Sequence, residues 1–277
     1  MATTVSNLVI PKLIGDSVQK KLGKLIKILP LCDVDYNLQG NAGNTITVPS
    51  WNYIGDANDV AEGVAVTAEN ITAGAIDVTV KKAVKDISMT DEAILATNGE
   101  VVGQVEHQLA VSIANKMDED ALKQAMATET GSGIPQIGNK IATATLDQSG
   151  LATLRVYFGE DLEETFLLIN PVEYGKILAM PEFVSVAQGE AFMSGHVGHV
   201  MGLQIVVSGR VTAGKGVLLQ RGGLGIAMKR DVNAESFRDM STRTVRVGAD
   251  VHYACYVKNP ARVAVIEAIT TAVGVPS

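Results

Sequence analysis

Apolar residues recur at intervals of three and four between residues 99 and 128. This spacing puts them on one stripe of a helix and predicts a single long helix of roughly 45 Å. The stripe consists of Val102, Val105, Leu109, Ile113, Met117, Ala121, Ala125 and Met126. Thr97 and Glu100 have capping-box spacing, with Asn98 as the alternative cap. Such length beside strand-rich sequence suggests an elongated, plate-like molecule, but on the helix alone we favour a long core helix of an α+β enzyme.

A second helical pattern covers residues 11–29. Its apolar positions share one face, whereas most of the lysines lie elsewhere on the helix. The apolar set is Ile14, Val18, Leu22, Leu25, Ile26 and Leu29, and the lysines are Lys12, Lys20, Lys21, Lys24 and Lys27. A basic amphipathic helix is typical of membrane surfaces or acidic partners. Docking on a neighbouring element is the interpretation we favour here.

Residues 44–90 have the alternation of extended chain. One run ends at Pro49 and a second includes Ile76, Val78 and Val80. Residues 51–74 between them are rich in Gly, Asp, Asn and Ala, too long for a tight turn and too poor in large apolar residues to form a core. The segment is therefore either a projecting arm that packs on another subunit or an active-site lid.

Glycine-rich turn residues at 131–140 end the long helix and predict a domain boundary. Beyond them helices and strands alternate. We expect helices at 151–162 and 171–180, the second opened by Pro171 and capped by Asn170. The expected strands are 165–170, 200–208, 216–220, 227–237, 244–257 and 261–268, with residues 252–257 buried on both faces.

The chain has 277 residues, of which 47% are hydrophobic and 19% are charged, and this composition is typical of a folded protein. Its net charge is −7. The acidic balance argues against a general nucleic-acid-binding surface. Cys32 and Cys255 have no Cys or His at metal spacing, so we expect two buried free thiols and a reducing compartment. No signal-peptide pattern or apolar run of membrane-spanning length occurs, so a soluble protein made in the cytoplasm is expected.

The segment 209–216 approaches the phosphate-binding loop GxxxxGK[ST]. Gly216 replaces the hydroxyl residue, and the residues that follow have a strand pattern where the loop requires a helix. A turn between two strands is the favoured interpretation.

Other candidate chemistry is weak. His196 and His199 lack further zinc ligands nearby, and His107 and His252 are isolated in sequence. The consecutive acids 118–120 diverge around a helix, so we expect them to be solvated or paired with a neighbour. Neither GxSxG nor a GxGxxG after a strand is present, so the sequence predicts no catalytic, cofactor or metal site.

Charges of both signs are interleaved in the last third of the chain, which is typical of protein-binding surfaces and of ordinary soluble ones. They are Arg221, Lys229, Arg230, Arg238, Arg243 and Arg246 with Asp231, Glu235, Asp239 and Asp250.

Taken in order, the segments resemble the major capsid proteins of tailed bacteriophages with the Hong Kong 97-type fold. The most specific segments are 47–63, 82–95 and 198–211, which are similar to coat proteins of phages with Gram-positive hosts. The resemblance implies an α+β fold with an N-terminal arm, an extended β-hairpin loop, a peripheral domain with a long spine helix, and an axial domain.

The implied division follows the family order. It is an arm at 1–43, an extended loop at 44–85, a peripheral domain at 86–144 with the spine helix at 99–128, an axial domain at 145–228, peripheral return strands at 229–258, and an axial strand and tail at 259–277. The return strands would turn at 238–244, which in the family reaches towards neighbouring capsomers. Many coat proteins begin with a scaffolding segment, and its absence here implies a separate scaffolding protein or none.

The resemblance implies a self-assembling coat subunit that is not an enzyme and needs no cofactor. Its partners would be copies of itself in hexamers and pentamers, a portal, separate scaffolding or decoration proteins, and packaged DNA held non-specifically, with no membrane. It would be assembled in the host cytoplasm and located in the virion. The expected intersubunit contacts are Trp51, Asp56, Asp59 and Glu62 of the extended loop with Arg238, Asp239 and Arg243 of the late turn.

Two alternatives remain at this point. One is an encapsulin-type nanocompartment, which shares the fold and encloses enzymes. The other is a metabolic enzyme that binds phosphate at 209–216.

Overall fold

The computed structural model describes residues 25–51, 73–96, 100–127, 139–159, 164–179 and 199–270, with scattered positions before 25 and between 57 and 70. The helices are α1 (Asp91–Ala96), α2 (Glu100–Met126), α3 (Gln148–Arg155) and α4 (Pro171–Leu178). The strands are β1 (Asp33–Asp35), β2 (Thr45–Trp51), β3 (Ala73–Thr79), β4 (Lys81–Thr90), β5 (Lys140–Ile141), β6 (Ala144–Thr145), β7 (Thr165–Ile169), β8 (His199–Val200), β9 (Leu203–Val207), β10 (Gly216–Gln220), β11 (Leu224–Asp239), β12 (Thr244–Val257), β13 (Val263–Ile266) and β14 (Ile269–Thr270).

A four-stranded sheet in the order β1-β11-β12-β4 supports the long helix. The hairpin β11–β12 occupies its centre, β1 runs parallel to β11, and β4 pairs antiparallel with β12 as an edge strand. The alternation of side chains along β12 sends Val247, Ala249 and Val251 to the buried face. That face packs against α2.

Helix α2 has 27 residues and confirms the predicted long helix. Val105, Leu109, Ile113 and Met117 of the predicted stripe are buried in the same core as the sheet. Ala110, Ala114 and Leu122 widen the buried face, because a helix lying across a flat sheet is covered over more than a narrow seam. The predicted capping residues Thr97 and Asn98 lie outside the described residues.

The N-terminal segment docks on α2, as its apolar face predicts. Positions 18, 20–22 and 25 are helical, and Val18 and Leu22 are buried in the α2 core. Lys21 forms an ion pair of 2.9 Å with Glu106 of α2.

Strands β2 and β3 form a separate two-stranded antiparallel sheet with Thr45 opposite Thr79 and Trp51 opposite Ala73. The expectation that Pro49 ends the first strand was wrong, since β2 continues to Trp51. A proline is tolerated here because a strand of a two-stranded sheet always has one unpaired edge. Ile46, Val48, Val78 and Val80 pack on a small cluster of Leu38, Ala227 and Tyr256.

A six-stranded sheet in the order β5-β13-β10-β7-β9-β8 forms the other part of the molecule. Strands β7 and β10 lie in its interior and are buried at every position. Their side chains contribute to two apolar cores, because residues on opposite faces of one strand point to opposite sides: Leu168 and Leu219 join the α2 core, whereas Leu167 and Leu218 join a second core beneath α3 and α4.

Two local predictions in this part were wrong. The first helix begins at Gln148, where the Asp147 side chain accepts a hydrogen bond from Gly150 N, and it ends at Arg155. The predicted strand 200–208 is a β8–β9 hairpin, because Met201 and Gly202 have positive φ angles of 50° and 80° and reverse the chain.

Candidate intersubunit surfaces

The end of the β11–β12 hairpin is a tight turn between Asp239 and Thr244. The Asp239 carboxylate accepts hydrogen bonds from the Ser241 hydroxyl at 2.6 Å and from Ser241 N at 2.8 Å. These bonds stabilise the ionised form and lower the pKa of Asp239 below its ordinary value. Arg243 has a φ of 52°, a left-handed conformation that closes the turn. The turn is therefore ordered by its own residues.

Helix α1 holds this turn from one side. The Arg238 guanidinium forms an ion pair of 2.7 Å with Asp91, and Asp91 N donates a hydrogen bond of 3.0 Å to the Arg243 carbonyl. Of the three expected contact residues at the turn, two are thus engaged within the chain, Arg238 with Asp91 and Asp239 with Ser241. Arg243 is exposed, and its side chain has no ion pair among the described residues.

Large apolar side chains are exposed at the same end of the sheet. Phe237 is 68% exposed, Met240 is 69% exposed, and Leu95 of α1 is 80% exposed. These three residues are not among the contacts expected from the sequence, although an aromatic residue on the polar face of a strand next to a turn is a usable signal. Such side chains are typical anchors of protein interfaces.

Of the four contact residues expected in the extended loop, the structure describes Trp51 and Asp59. Trp51 is the last residue of β2, and Asp59 is exposed. Asp56 and Glu62 lie outside the described residues. The structure therefore brings Arg238, Asp239 and Arg243 together at one turn.

An open groove of about 480 Å³ lies between β4 and α2. Its charged lining is mostly basic, and Glu119 is the one acidic residue among the described residues that line it. The lining consists of Lys81, Lys82, Ala83, Val84, Lys85, Ser112, Ile113, Asn115, Lys116, Glu119 and Arg210. Lys82 and Lys85 have no ion pair within the described part of the chain, so the groove presents surplus positive charge.

The buried carboxylate of Asp120 contacts both the lysines of the groove and a tyrosine of the core. Asp120 is 4% exposed, accepts a hydrogen bond of 2.6 Å from the Tyr253 hydroxyl, and forms ion pairs with Lys81 at 2.6 Å and Lys116 at 3.2 Å. Burial alone would raise the pKa of Asp120, but the hydrogen bonds from Lys81 and Tyr253 outweigh it and lower that pKa. Burial, followed by the bond to Asp120, raises the pKa of Tyr253.

Asp118 has a different structural role. It is 5% exposed and accepts hydrogen bonds of 3.0 Å from the backbone N–H groups of both Lys27 and Ile28. The expectation that the acids 118–120 are solvated or paired with a neighbour is confirmed for Glu119, which forms an ion pair of 2.7 Å with Lys123, and for Asp120. It was wrong for Asp118, which is buried and bonded to backbone groups. Lys27 and Ile28, which bond Asp118, and Tyr253, which bonds Asp120, lie 90 or more residues away in sequence, so local pattern does not reveal them. Of the Asp120 partners, Lys116 alone is near in sequence.

Residues 209–215 connect strands β9 and β10 as a turn, as predicted, and Gly216 begins β10. Gly214 N donates a hydrogen bond of 3.2 Å to the buried Glu173 carboxylate, so a backbone donor that a phosphate would need is already used by an anion. Strand β10 stands where a phosphate-binding helix would begin. The geometry gives no support to a phosphate site.

Metal and thiol chemistry receive no support from the described residues. Within them, no three His, Cys, Asp or Glu side chains are grouped as metal ligands. Cys32 and Cys255 are free and buried, as predicted, and burial raises both thiol pKa values, that of Cys255 to about 12. In the part of the chain the structure covers, no helix has the length and apolar character needed to cross a membrane.

Comparison with solved structures identifies the fold. The chain is similar to the capsid of cyanophage P-SCSP1u with a TM-score of 0.65 at 15% identity, over 98% of this chain and 93% of that one. It is also similar to a virus-like particle from Pyrococcus furiosus with a TM-score of 0.65 at 14% identity, over 94% of this chain and 100% of that one. The predicted Hong Kong 97-type fold is confirmed. At these identities the likeness to the virus-like particle shows the fold alone and does not favour the nanocompartment alternative.

Sequence comparison identifies the family. The phage capsid protein family model matches residues 72–266. The chain is also 31% identical to the major capsid protein of Staphylococcus phage phiMR11 over 259 residues, which cover 92% of each chain. The chain therefore belongs to the phage capsid protein family, and it is a structural major capsid protein of a tailed phage, located in the virion capsid, and not an enzyme.

Proposed function

We propose that this capsid protein assembles into an icosahedral shell of hexamers and pentamers that encloses packaged double-stranded DNA. The observation that carries the proposal is the β2–β3 hairpin, which pairs with no other strand among the described residues. An isolated two-stranded hairpin has little stability of its own. In a shell, contacts with a neighbouring copy would stabilise it. Assembly in the host cytoplasm and separate portal, scaffolding or decoration proteins complete the proposal.

We also propose the domain division of the family for this chain. The four-stranded sheet with α2 would be the peripheral domain, and the six-stranded sheet would be the axial domain. The pairing of β5 with β13 supports a first boundary near residue 139 instead of 144, and the start of β11 supports a return to the peripheral domain at 224 instead of 229. The arm and the extended loop keep their ranges of 1–43 and 44–85.

The extended loop is the first proposed intersubunit element, with Trp51, Asp56, Asp59 and Glu62 as contacts. Its charge supports this role. As far as the start of β4, residues 44–80 contain five acidic residues and no Lys, Arg or His, and the lysines of the range 44–85, Lys81, Lys82 and Lys85, all belong to β4. An acidic segment without local cations favours contact with a basic surface. The groove between β4 and α2 supplies such a surface on each copy.

The late turn is the second proposed intersubunit element. Arg243 is exposed and would contact a neighbour directly. Arg238 and Asp239 would act indirectly, by holding the turn through Asp91 and Ser241.

Electron microscopy of the purified full chain, with sedimentation velocity, tests the proposed function. We expect closed shells, or rings of hexamers and pentamers that close into shells when the neighbouring phage genes are co-expressed. Monomers under both conditions would contradict the proposal. Shells that co-purify with an enzyme instead of protecting DNA from nuclease would favour the nanocompartment alternative.

A further inference from the structure

The base of the β2–β3 hairpin is held by a lysine of the central sheet. Lys229 of β11 donates hydrogen bonds from its Nζ to the Gly43 carbonyl and, at 2.6 Å, to Asn44 Oδ1, directly before β2 begins. The Asn44 carbonyl accepts a hydrogen bond of 2.8 Å from Val80 N, directly after β3 ends. Lys229 therefore holds both chain ends of the hairpin, one directly and the other through Asn44.

An irregularity in β11 puts Lys229 in this position. The register of β11 on β12 shifts between Met228 and Arg230, so two residues of β11 stand opposite one residue of β12. With regular alternation Met228 and Arg230 would share one face of the sheet. The β-bulge breaks that alternation, since Met228 lies in the α2 core whereas Arg230 forms an ion pair of 3.6 Å with Asp250. The two neighbouring cations therefore have different partners: Arg230 pairs within the sheet, and Lys229 reaches the hairpin.

The apolar contacts at the same base do not fix a direction by themselves. Val78 and Val80 pack on Ala227 and Tyr256 and are only partly buried. Apolar burial is non-directional, whereas a hydrogen bond requires a particular distance and angle. The hairpin pairs with no other strand in the described part of the chain, so the direction in which it leaves the sheet depends on Lys229.

We infer that Lys229 is a positioning residue for assembly, because its two hydrogen bonds fix the direction of the β2–β3 hairpin relative to the central sheet. The inference rests on the proposed shell, in which that direction would determine where the hairpin meets a neighbouring copy. Without the ammonium group the hairpin would stay folded and attached through Val80, but its direction would vary.

Distance measurements on the unassembled full chain test the inference. Spin labels at Ala75→Cys of β3 and Ser88→Cys of β4 report the direction of the hairpin, and the native Cys32 and Cys255 are buried. Lys229→Met keeps the length of the side chain and removes its donors. By double electron–electron resonance we expect a distribution of label distances about twofold wider in Lys229→Met than with Lys229 present. Lys229→Arg, which keeps the charge and the donors, should restore the narrower distribution.

Lys258→Met is the matched control. Lys258 is also a lysine with a hydrogen bond of 2.6 Å, to Asp33, but that bond joins the end of β12 to β1 and does not involve the hairpin. Its loss should leave the distance distribution unchanged. Circular dichroism and thermal unfolding should be the same in both methionine variants, because neither lysine belongs to the apolar core.

A normal width in Lys229→Met, or equal widening in Lys258→Met, would overturn the inference whether or not shells form. In shells, electron microscopy should show a wider range of diameters for Lys229→Met and the normal range for Lys229→Arg. Shells of one normal diameter from Lys229→Met would overturn the role in assembly. An unmodified chain that forms no shells would instead contradict the proposed function, and the label distances would still test what Lys229 does.

Discussion

The two long hairpins of this protein differ in what stabilises them. The hairpin β11–β12 has a paired strand on each side, β1 and β4, and its buried face is covered by α2. The hairpin β2–β3 has no paired strand on either side among the described residues, and its valines are only partly buried, against a small cluster. The first belongs to the core of the subunit, whereas the second has less support within the described part of the chain.

This difference separates folding from assembly. Changes in the central hairpin should appear as a loss of unfolding free energy of the single subunit. Changes in the outlying hairpin should appear as a loss of shells while the subunit remains folded. The four experiments below test this separation.

The largest expected effect follows from shortening the outlying hairpin. Replacing residues 53–72 by one glycine leaves Asn52-Gly as a two-residue turn between the paired residues Trp51 and Ala73. We expect shells to disappear in sedimentation velocity, while the urea midpoint of the unassembled subunit is unchanged. Shells of normal size and stability would show that the loop makes no essential contact.

A matched valine pair compares the hairpins directly. Val251 of β12 is fully buried, so Val251→Ala should lower the unfolding free energy by about 2 kcal/mol through lost apolar burial and a cavity. Val78 of β3 is partly buried, and Val78→Ala should cost about 0.5 kcal/mol. Urea unfolding of both unassembled variants measures the difference. Equal losses would mean that β2–β3 is as much a part of the core as β11–β12.

Acid sensitivity should come from Asp120 of α2, which is hydrogen-bonded to Tyr253 of the central hairpin. Its pKa in the folded chain lies below the ordinary value of 3.8, so its contribution to stability is complete above that value and is lost as the pH falls through the folded pKa. Unfolding free energy should therefore decline below about pH 4, and Asp120→Asn should decline less steeply over the same range. Parallel acid profiles for the two chains would assign the acid sensitivity to other carboxylates.

The smallest expected effect concerns the groove proposed to receive the acidic loop. The double change Lys82→Glu with Lys85→Glu should lower the yield of shells about threefold at low salt and less at high salt, since exposed charges are screened. Lys140→Glu, at an exposed lysine of β5, is the control. An unchanged yield at every salt concentration would remove the groove from the proposed interface.

Much of the fold could be predicted from local sequence. The spacing from Val105 to Met117 specifies a buried helical face whatever lies against it, and Asn170 with Pro171 specifies a helix start. The pattern also predicted a strand on each side of the turn that joins β11 to β12. In each case neighbours in sequence determine the structure.

The rest depends on partners distant in sequence. Asp118 and Asp120 have the pattern of solvent-exposed helix residues, and only the folded chain brings Ile28 and Tyr253 to them. The candidate site shows the same limit, because Asp91 engages Arg238 from 147 residues away. The sequence therefore indicated the turn as a contact region but did not distinguish the residues that build it from Arg243, Phe237 and Met240, which are free to contact a neighbour.

The join between the two hairpins has a mechanical consequence. Val80 alone separates β3 from β4, and β4 is held to β12 through ten consecutive residue pairs. A neighbour that pulls on the outlying hairpin therefore pulls β4 along its length, and the hydrogen bonds to β12 share the load in shear instead of opening one after another. Tension in an expanding or pressurised shell would therefore pass into the sheet beside α2, where the paired strands β4 and β12 would resist it as one rigid unit.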